Sequence, residues 1–362
     1  MADQERNFRT HYYEKVGFRA VEEKKSIEIL LKEQPIRKDK LLQFSLRFGI
    51  PAMYRTYVWK ILLGILPANQ ASQAYVLNHR QEQVKELERA LVLLSPEYLG
   101  GSQEQKILRM KLIEDGKLPL QNKFLDTDIS NQYFVCIAQA VGSLVSSEVD
   151  LYWISTRFYK HIKDNFYKHV PQFPEHTMQC LKKEEDGKRL YQHLYDYQVV
   201  DELPLNEWFY TCYANVLPDN SLERIWDRVI GGSSEIFVYV AVAVLLVLRR
   251  PILAMQSAHD IANYLKQIPE DCGDKIVNEA LTLLHKNSGQ HPPKPDSPST
   301  ESGKNLVKPA DRNSSSKPTL TKTQYSSVDG SFSTEKIGKN VLEKSVSIDI
   351  GRRSPNDKFI QM

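Results

Sequence analysis

Apolar residues recur three and four positions apart through most of the chain up to Lys286, and no segment sustains an alternation of two. That period is typical of amphipathic helices that pack on a core, whereas a half-buried strand requires alternation. The segment from Gln70 to Leu94, ended by Pro96, shows it most clearly. Its apolar stripe comprises Ala74, Leu77, Val84, Leu87 and Leu91. The pattern predicts an all-α fold.

One segment, from Ile236 to Leu248, is unbroken apolar sequence (IFVYVAVAVLLVL) and is closed by Arg249 and Arg250. A bilayer span needs roughly 20 such residues, so this run is too short to cross a membrane. A helix that is apolar on all sides is buried in the protein instead. We therefore expect it to be the core helix of the second half, and we expect no direct membrane insertion.

Prolines and glycines divide the chain into many helices of ordinary length. The pair Asn220–Ser221 precedes LERIWDRVI and is predicted to cap that helix, and the pair Gly231–Gly232 is predicted to close it. We expect an N-terminal set of helices up to about Leu151 and a C-terminal set up to Lys286, packed as two lobes.

The composition changes abruptly at Asn287, where the sequence becomes rich in Ser, Lys and Pro and poor in apolar residues. Such a stretch buries too little apolar surface to offset its conformational entropy. The sequence therefore predicts a helical domain over residues 1–286 and a disordered tail over residues 287–362.

Charge and cysteine usage exclude several classes of function. The formal charge of +3 is too balanced to recruit nucleic acid by counterion release, so we expect no nucleic-acid partner. The four cysteines form no Cys-x-x-Cys motif and no Cys/His pair at metal-ligand spacing. The polar N-terminus has neither a signal peptide nor a myristoylation motif. We expect a cytoplasmic protein with reduced thiols, no metal and no other cofactor.

Two separated motifs resemble those of the TBC family of Rab GTPase-activating proteins. The segment YRTYVWKILLGILP resembles the opening motif, with Arg55 and Trp59 in place, and LERIWDRVI resembles the late motif, filled by Arg224, Ile225, Trp226 and Asp227. Trp153 lies in DLYWISTRFY, which resembles the mid-domain segment of the family. Arg55 and Trp59 are one helical turn apart, so the arginine stem can pack on the indole while its head finds a carboxylate. We expect these residues to be architectural.

The resemblance implies where two catalytic fingers belong. Active family members use an arginine from Ile-x-x-Asp-x-x-Arg and a glutamine from Tyr-x-Gln-Gly. Here LIEDGKL keeps Asp115 but has Leu118 in the arginine position, or Leu120 if the register shifts, and no arginine occurs between Lys111 and Gln132. Val135 takes the glutamine position. We therefore expect no catalytic residues, and a GTPase-activator regulator that is not an enzyme.

The N-terminal stretch RNFRTHYYEKVGFRAVEEKKSIEILLK resembles the TBC subgroup that forms the third subunit of the tuberous sclerosis complex. The resemblance implies a scaffold that binds the hamartin coiled coil and, through it, tuberin, supporting Rheb GTPase activation and negative regulation of TOR signalling. It also implies recruitment to lysosomal or endosomal membranes through partners. A groove lined by Val84, Leu87 and Leu91 is one candidate partner site, although such a stripe is more often core.

Two alternatives stay open. The chain is an active Rab GTPase-activating protein if a non-standard arginine, such as Arg109 or Arg157, replaces the missing finger. It is a Rab-binding effector if the groove of the family is retained and the chemistry is lost. Rab or Rheb GTPases are the direct partners that these alternatives require.

Overall fold

The computed structural model describes residues 21–94, 101–118 and 128–287, apart from the side chains of Val21 and Glu22. All regular structure in these ranges is helical, which confirms the predicted all-α fold. The α-helices are α1 (Val21–Lys32), α2 (Lys38–Arg47), α3 (Ala52–Leu62), α4 (Gln73–Leu94), α5 (Gln103–Glu114), α6 (Ile129–Leu144), α7 (Glu148–Asn165), α8 (Phe173–Lys183), α9 (Glu185–Asp196), α10 (Leu205–Tyr210), α11 (Asp219–Ile230), α12 (Glu235–Val247), α13 (Arg249–Ala254), α14 (Ala258–Lys266) and α15 (Gly273–Asn287). Short 3-10 helices cover Gln70–Ser72, Val170–Gln172, Val200–Glu202 and Glu270–Cys272.

Helix α12 is the centre of the second half. Every side chain from Ile236 to Leu246 is buried, and the helix packs most extensively against α15 and α8. This confirms the core helix that the apolar run predicts. Within the ranges described above, no helix is both long and apolar enough to cross a membrane.

Helix α11 joins the two halves of the chain. It packs against α2 and α3 from the N-terminal half, against α6 and α7 in the middle, and against α12 and α15 beyond it. The buried apolar residues accordingly form one continuous cluster from Ile27 to Leu284. The expected division near Leu151 falls inside α7, so the two predicted sets of helices share a single core.

The start of α11 differs from the prediction. The helix begins at Asp219 behind Pro218, and neither Asn220 nor Ser221 caps it, because both lie in its first turn. The helix therefore begins three residues before Leu222, where the predicted capping pair would place its start. Ser221 is instead buried beside Gly273, where a β-carbon would come within 2.7 Å of the Ser221 hydroxyl.

The C-terminal end of α11 is closed by glycine, as predicted. Gly231 is the C-cap, and Gly232 has a φ of +100°, which side chains other than that of glycine rarely tolerate. A β-carbon at Gly231 would lie 2.7 Å from the Ser45 hydroxyl and 3.0 Å from Leu46, so the small residue lets α2 approach.

Helix α15 runs to Asn287, the last described residue, and therefore includes the predicted boundary at Lys286. The tail predicted to be disordered, as well as Pro96 and Leu120, lies outside the described residues. Cys136, Cys180, Cys212 and Cys272 are all free thiols.

Candidate functional site

The two motif segments meet in a buried charge cluster. The carboxylate of Asp227 on α11 is fully buried and accepts hydrogen bonds from the Trp59 indole (2.9 Å) and from the backbone N–H of Ile50 (3.0 Å). The Arg55 guanidinium lies 3.3 Å from the same carboxylate and also pairs with Glu223. Burial raises the pKa of Asp227, and the charges of Arg55 and Arg228 oppose that rise. The cluster fastens α3 to α11.

The remaining motif residues also hold helices together. The Trp226 indole donates to the carbonyl oxygen of Cys212 (2.9 Å), and its ring lies 6.1 Å from the Trp59 ring. Arg224 reaches α15, where it donates to Asn278 at 2.7 Å. Trp153 is buried on α7 and donates from its indole to the carbonyl oxygen of Arg80 at 3.1 Å. Each of these side chains joins two separate segments of the chain.

The position that the resemblance assigns to the arginine finger lies just after α5. Asp115 is the C-cap of that helix and pairs with Lys111, and Gly116 turns the chain with a φ of +65°. Leu118 is partly buried and packs against the core. Lys117 beside it is exposed, but an ammonium lacks the planar fork with which a guanidinium bridges two phosphate oxygens.

The position that the resemblance assigns to the glutamine finger lies on α6. Asp128 caps this helix by accepting from the Ser130 N–H at 2.8 Å, and Tyr133 stacks on Tyr210 with 5.1 Å between ring centroids. These contacts fix the register in which Val135 is partly buried against the core. The side chain of Val135 has no atom that orients a water molecule.

Gln139 lies one helical turn beyond Val135 on α6. It is exposed, and its side-chain oxygen accepts a hydrogen bond from Asn215 at 3.3 Å. Cys136, beside Val135, is half-buried, and burial together with the charge of Glu207 raises the pKa of its thiol. A thiol held in its neutral form is a poor nucleophile.

Two further arginines were candidates for a replacement finger. Arg109 on α5 is only 6% exposed, which keeps its guanidinium from reaching a nucleotide on another protein. Arg157 on α7 is partly exposed, and its guanidinium lies over the Trp153 ring, 5.3 Å from the centroid.

The prediction that Val84, Leu87 and Leu91 on α4 line a groove for a partner is wrong. Val84 and Leu91 are each only 3% exposed, and Leu87 packs against the core. These residues face inward because the stripe packs α4 on α5 and α7. They cannot line an open groove. The large exposed apolar side chains of α4 are Tyr75 near its start and Val92, Leu93 and Leu94 at its end.

Two participants in these clusters, Glu223 and Arg80, are not among the residues predicted from the sequence. Glu223 lies four residues before Asp227, a spacing that places both carboxylates on one face of a helix, so the signal was present. Arg80 contacts Trp153 across 73 residues of sequence, and no local pattern reveals that contact.

Comparison with known proteins agrees with the motifs. The Rab-GTPase-TBC domain family matches residues 131–253. TBC1 domain family member 7 of Homo sapiens is 44% identical over 288 residues, which cover 79% of this chain and 97% of that protein. TBC1 domain family member 7 of Danio rerio is 40% identical over 287 residues, with the same coverage.

A solved structure, the Ypt/Rab-GAP domain of Gyp1p, aligns with a TM-score of 0.49 and 19% identity, covering 72% of this chain and 97% of that one. The sequence relatives decide the assignment, because their identity is high and extends over nearly their whole length. The chain belongs to the TBC domain family.

Proposed function

We propose that this TBC domain is a non-catalytic scaffold that binds the coiled coil of hamartin and thereby joins the hamartin–tuberin assembly. In that assembly it supports Rheb GTPase activation by tuberin and the negative regulation of TOR signalling. Partners of this kind would also recruit it to lysosomal or endosomal membranes. The proposal rests on Leu118 and Val135, the residues that stand where the resemblance places the two fingers.

The missing arginine has a large energetic consequence. An arginine finger stabilises the charge that develops on the transferred phosphoryl group and is worth about 10³ to 10⁵ in rate. Leu118 offers no donor, and the interval from Lys111 to Gln132 contains no arginine in any register. Val135 cannot position the attacking water, so both chemical functions of the family are lost together.

The outer face of α4 is the surface we assign to the partner. Leu93 is 82% exposed, and Val92 and Leu94 beside it are also exposed, while Tyr75 is exposed near the other end. Between them lies a paired charge, Glu86 with Arg89. The helix of 22 residues is roughly 33 Å long. The outer face of α4 thus has exposed apolar side chains at both ends and charged side chains between them. A partner helix that lies along α4 could contact both apolar ends and pair with the charges.

Complex formation tests the proposal. The purified chain and the hamartin coiled coil are expected to co-elute in size-exclusion chromatography as a stoichiometric complex. Leu118→Arg should leave the complex intact, because the finger position lies outside the partner surface on α4. Failure of the wild-type chain to co-elute would count against the scaffold role.

The alternative function is Rab GTPase activation through Arg157. The partial exposure of this arginine favours it over the buried Arg109. This alternative predicts that the chain accelerates GTP hydrolysis by a Rab protein and that Arg157→Ala abolishes the acceleration. An acceleration that survives Arg157→Ala would exclude Arg157 as the finger.

A further inference from the structure

Two arginines share one buried indole beside the end of α5. The guanidinium carbon of Arg80, on α4, lies 4.1 Å from the centroid of the Trp153 ring, and that of Arg157, on α7, lies 5.3 Å away. The Trp153 indole donates to the carbonyl oxygen of Arg80 at 3.1 Å, which fixes the backbone of α4 against α7. The indole therefore holds both cations near one another.

The charges of this pair are not neutralised by the described residues. Arg80 donates to the neutral amide oxygen of Gln83 at 3.1 Å, and its buried Nε atom has no hydrogen-bond partner. No salt bridge within the described ranges includes Arg80 or Arg157. The acid that interacts with Arg80 at longer range, Glu114, accepts the hydroxyl hydrogen of Tyr152 at 2.6 Å.

The two guanidiniums destabilise each other. Burial and the charge of Arg157 lower the pKa of Arg80, and Glu114 opposes this effect only in part. Both side chains are partly exposed, so a ligand can reach them, whereas the indole beneath is covered. A planar guanidinium presents paired N–H donors that match the oxygens of a carboxylate or a phosphate. A bound oxyanion would relieve the repulsion.

We propose that Arg80, Trp153 and Arg157 form a binding site for an oxyanion group presented by a protein partner. The Trp153 ring orients the two guanidiniums, and the ligand supplies the negative charge that the three residues lack. The group is either the carboxylate of an acidic side chain or the phosphate of a modified one. The site does not depend on the proposed hamartin complex, because it is defined by residues of this chain alone.

Anion titration of the full chain tests this site. The chain is labelled with ¹⁵N-arginine, and the Nε–Hε signals of Arg80 and Arg157 are followed while succinate or inorganic phosphate replaces chloride at constant ionic strength. We expect a saturable shift of both signals. Tighter binding of succinate would identify an acidic side chain as the natural ligand, and tighter binding of phosphate a phosphorylated one.

Substitutions separate a specific site from general screening. Arg157→Gln should weaken binding, read at the Arg80 signal, by about tenfold or more, the loss expected for one charge-assisted hydrogen bond. Arg157→Lys keeps the positive charge but loses the paired N–H donors of the guanidinium, so it should also weaken anion binding. This variant preserves the test if Arg157→Gln fails to fold. The matched control is Arg47→Gln, since Arg47 lies over the Phe48 ring at 5.2 Å; it should bind like wild type. A linear response without saturation, or unchanged affinity in both Arg157 variants, would overturn the proposal.

Discussion

At the scale of single residues, the side chain of Asp227 connects two distant segments of the chain. Its buried carboxylate receives an indole N–H, a backbone N–H and a guanidinium, all from the segment between Ile50 and Trp59. Removing one partner of a buried ion pair leaves the other charge uncompensated, which costs more than the pair itself contributes. The segment Ile50–Trp59 is therefore held to α11 through one carboxylate.

Asp227→Asn should lower the free energy of unfolding by about 3–5 kcal/mol, because Arg55 then stays buried without its full counter-charge. Urea unfolding followed by circular dichroism measures the change. Asp274→Asn is the control, since Asp274 is exposed and its contact with Arg224 is 3.4 Å long; it should cost less than about 1 kcal/mol. Equal losses in the two variants would contradict the role of the cluster.

His161 should make the fold sensitive to acid. Its Nε2 atom lies 3.1 Å from the carbonyl oxygen of Val229, and burial lowers its pKa below the ordinary 6.5. The unfolded chain thus takes up a proton before the folded one, so stability falls as the pH drops below about 6.5 and levels off below the folded pKa. The loss between pH 7.5 and pH 5.5 should shrink in His161→Gln.

The control for this pH effect is His259→Gln, because His259 is exposed on α14. Unfolding midpoints are compared at the two pH values for the wild type and both variants. A pH dependence that His161→Gln leaves unchanged would show that other groups cause it.

At the scale of helices, the sequence pattern predicted that a helix exists more reliably than it predicted where the helix begins or which of its faces is buried. The apolar run of α12 could be assigned because its length excludes a membrane span and its composition excludes an exposed face. The start of α11 was misplaced, since Pro218 acts before the capping pair. The stripe at Val84 and Leu91 could not be assigned to core or partner, because both kinds of surface repeat with the same helical period.

The outer face of α4 should bind the partner helix. Leu93→Glu places a charge in the exposed apolar end and should weaken binding to the hamartin coiled coil by about tenfold or more, measured by isothermal titration calorimetry. Met53→Glu is the matched control, because Met53 is also a large apolar side chain, 65% exposed, on α3. If both variants bind equally well, the partner surface lies elsewhere.

The contact between α2 and the end of α11 should not tolerate a side chain larger than hydrogen. Gly231→Ala brings a β-carbon within 2.7 Å of the Ser45 hydroxyl and should destabilise the fold by about 1–3 kcal/mol in urea unfolding. Gly49→Ala, where nothing lies within 4 Å, is the control and should change stability little. If Gly231→Ala leaves the free energy of unfolding unchanged, α2 can move away from the new methyl group without an energetic cost.

At the scale of the whole molecule, the chain has the helical fold of its family, while the resemblance assigns apolar residues to both finger positions. The assignment of Leu118 and Val135 to the finger positions stays a prediction from the resemblance, because those positions are defined by residue type along the chain. The sequence alone could not locate the arginine pair on Trp153, since α4 and α7 meet only in the folded protein. The proposed scaffold role is based on the retained fold motifs together with the absence of an arginine and a glutamine at the assigned finger positions.

Single-turnover GTP hydrolysis by a panel of Rab proteins tests this account most directly. The purified full chain, added in excess over each GTP-loaded Rab, is expected to leave the intrinsic hydrolysis rate unchanged. Acceleration of any Rab by the wild-type chain, lost in Arg157→Ala, would contradict the claim that the domain is non-catalytic.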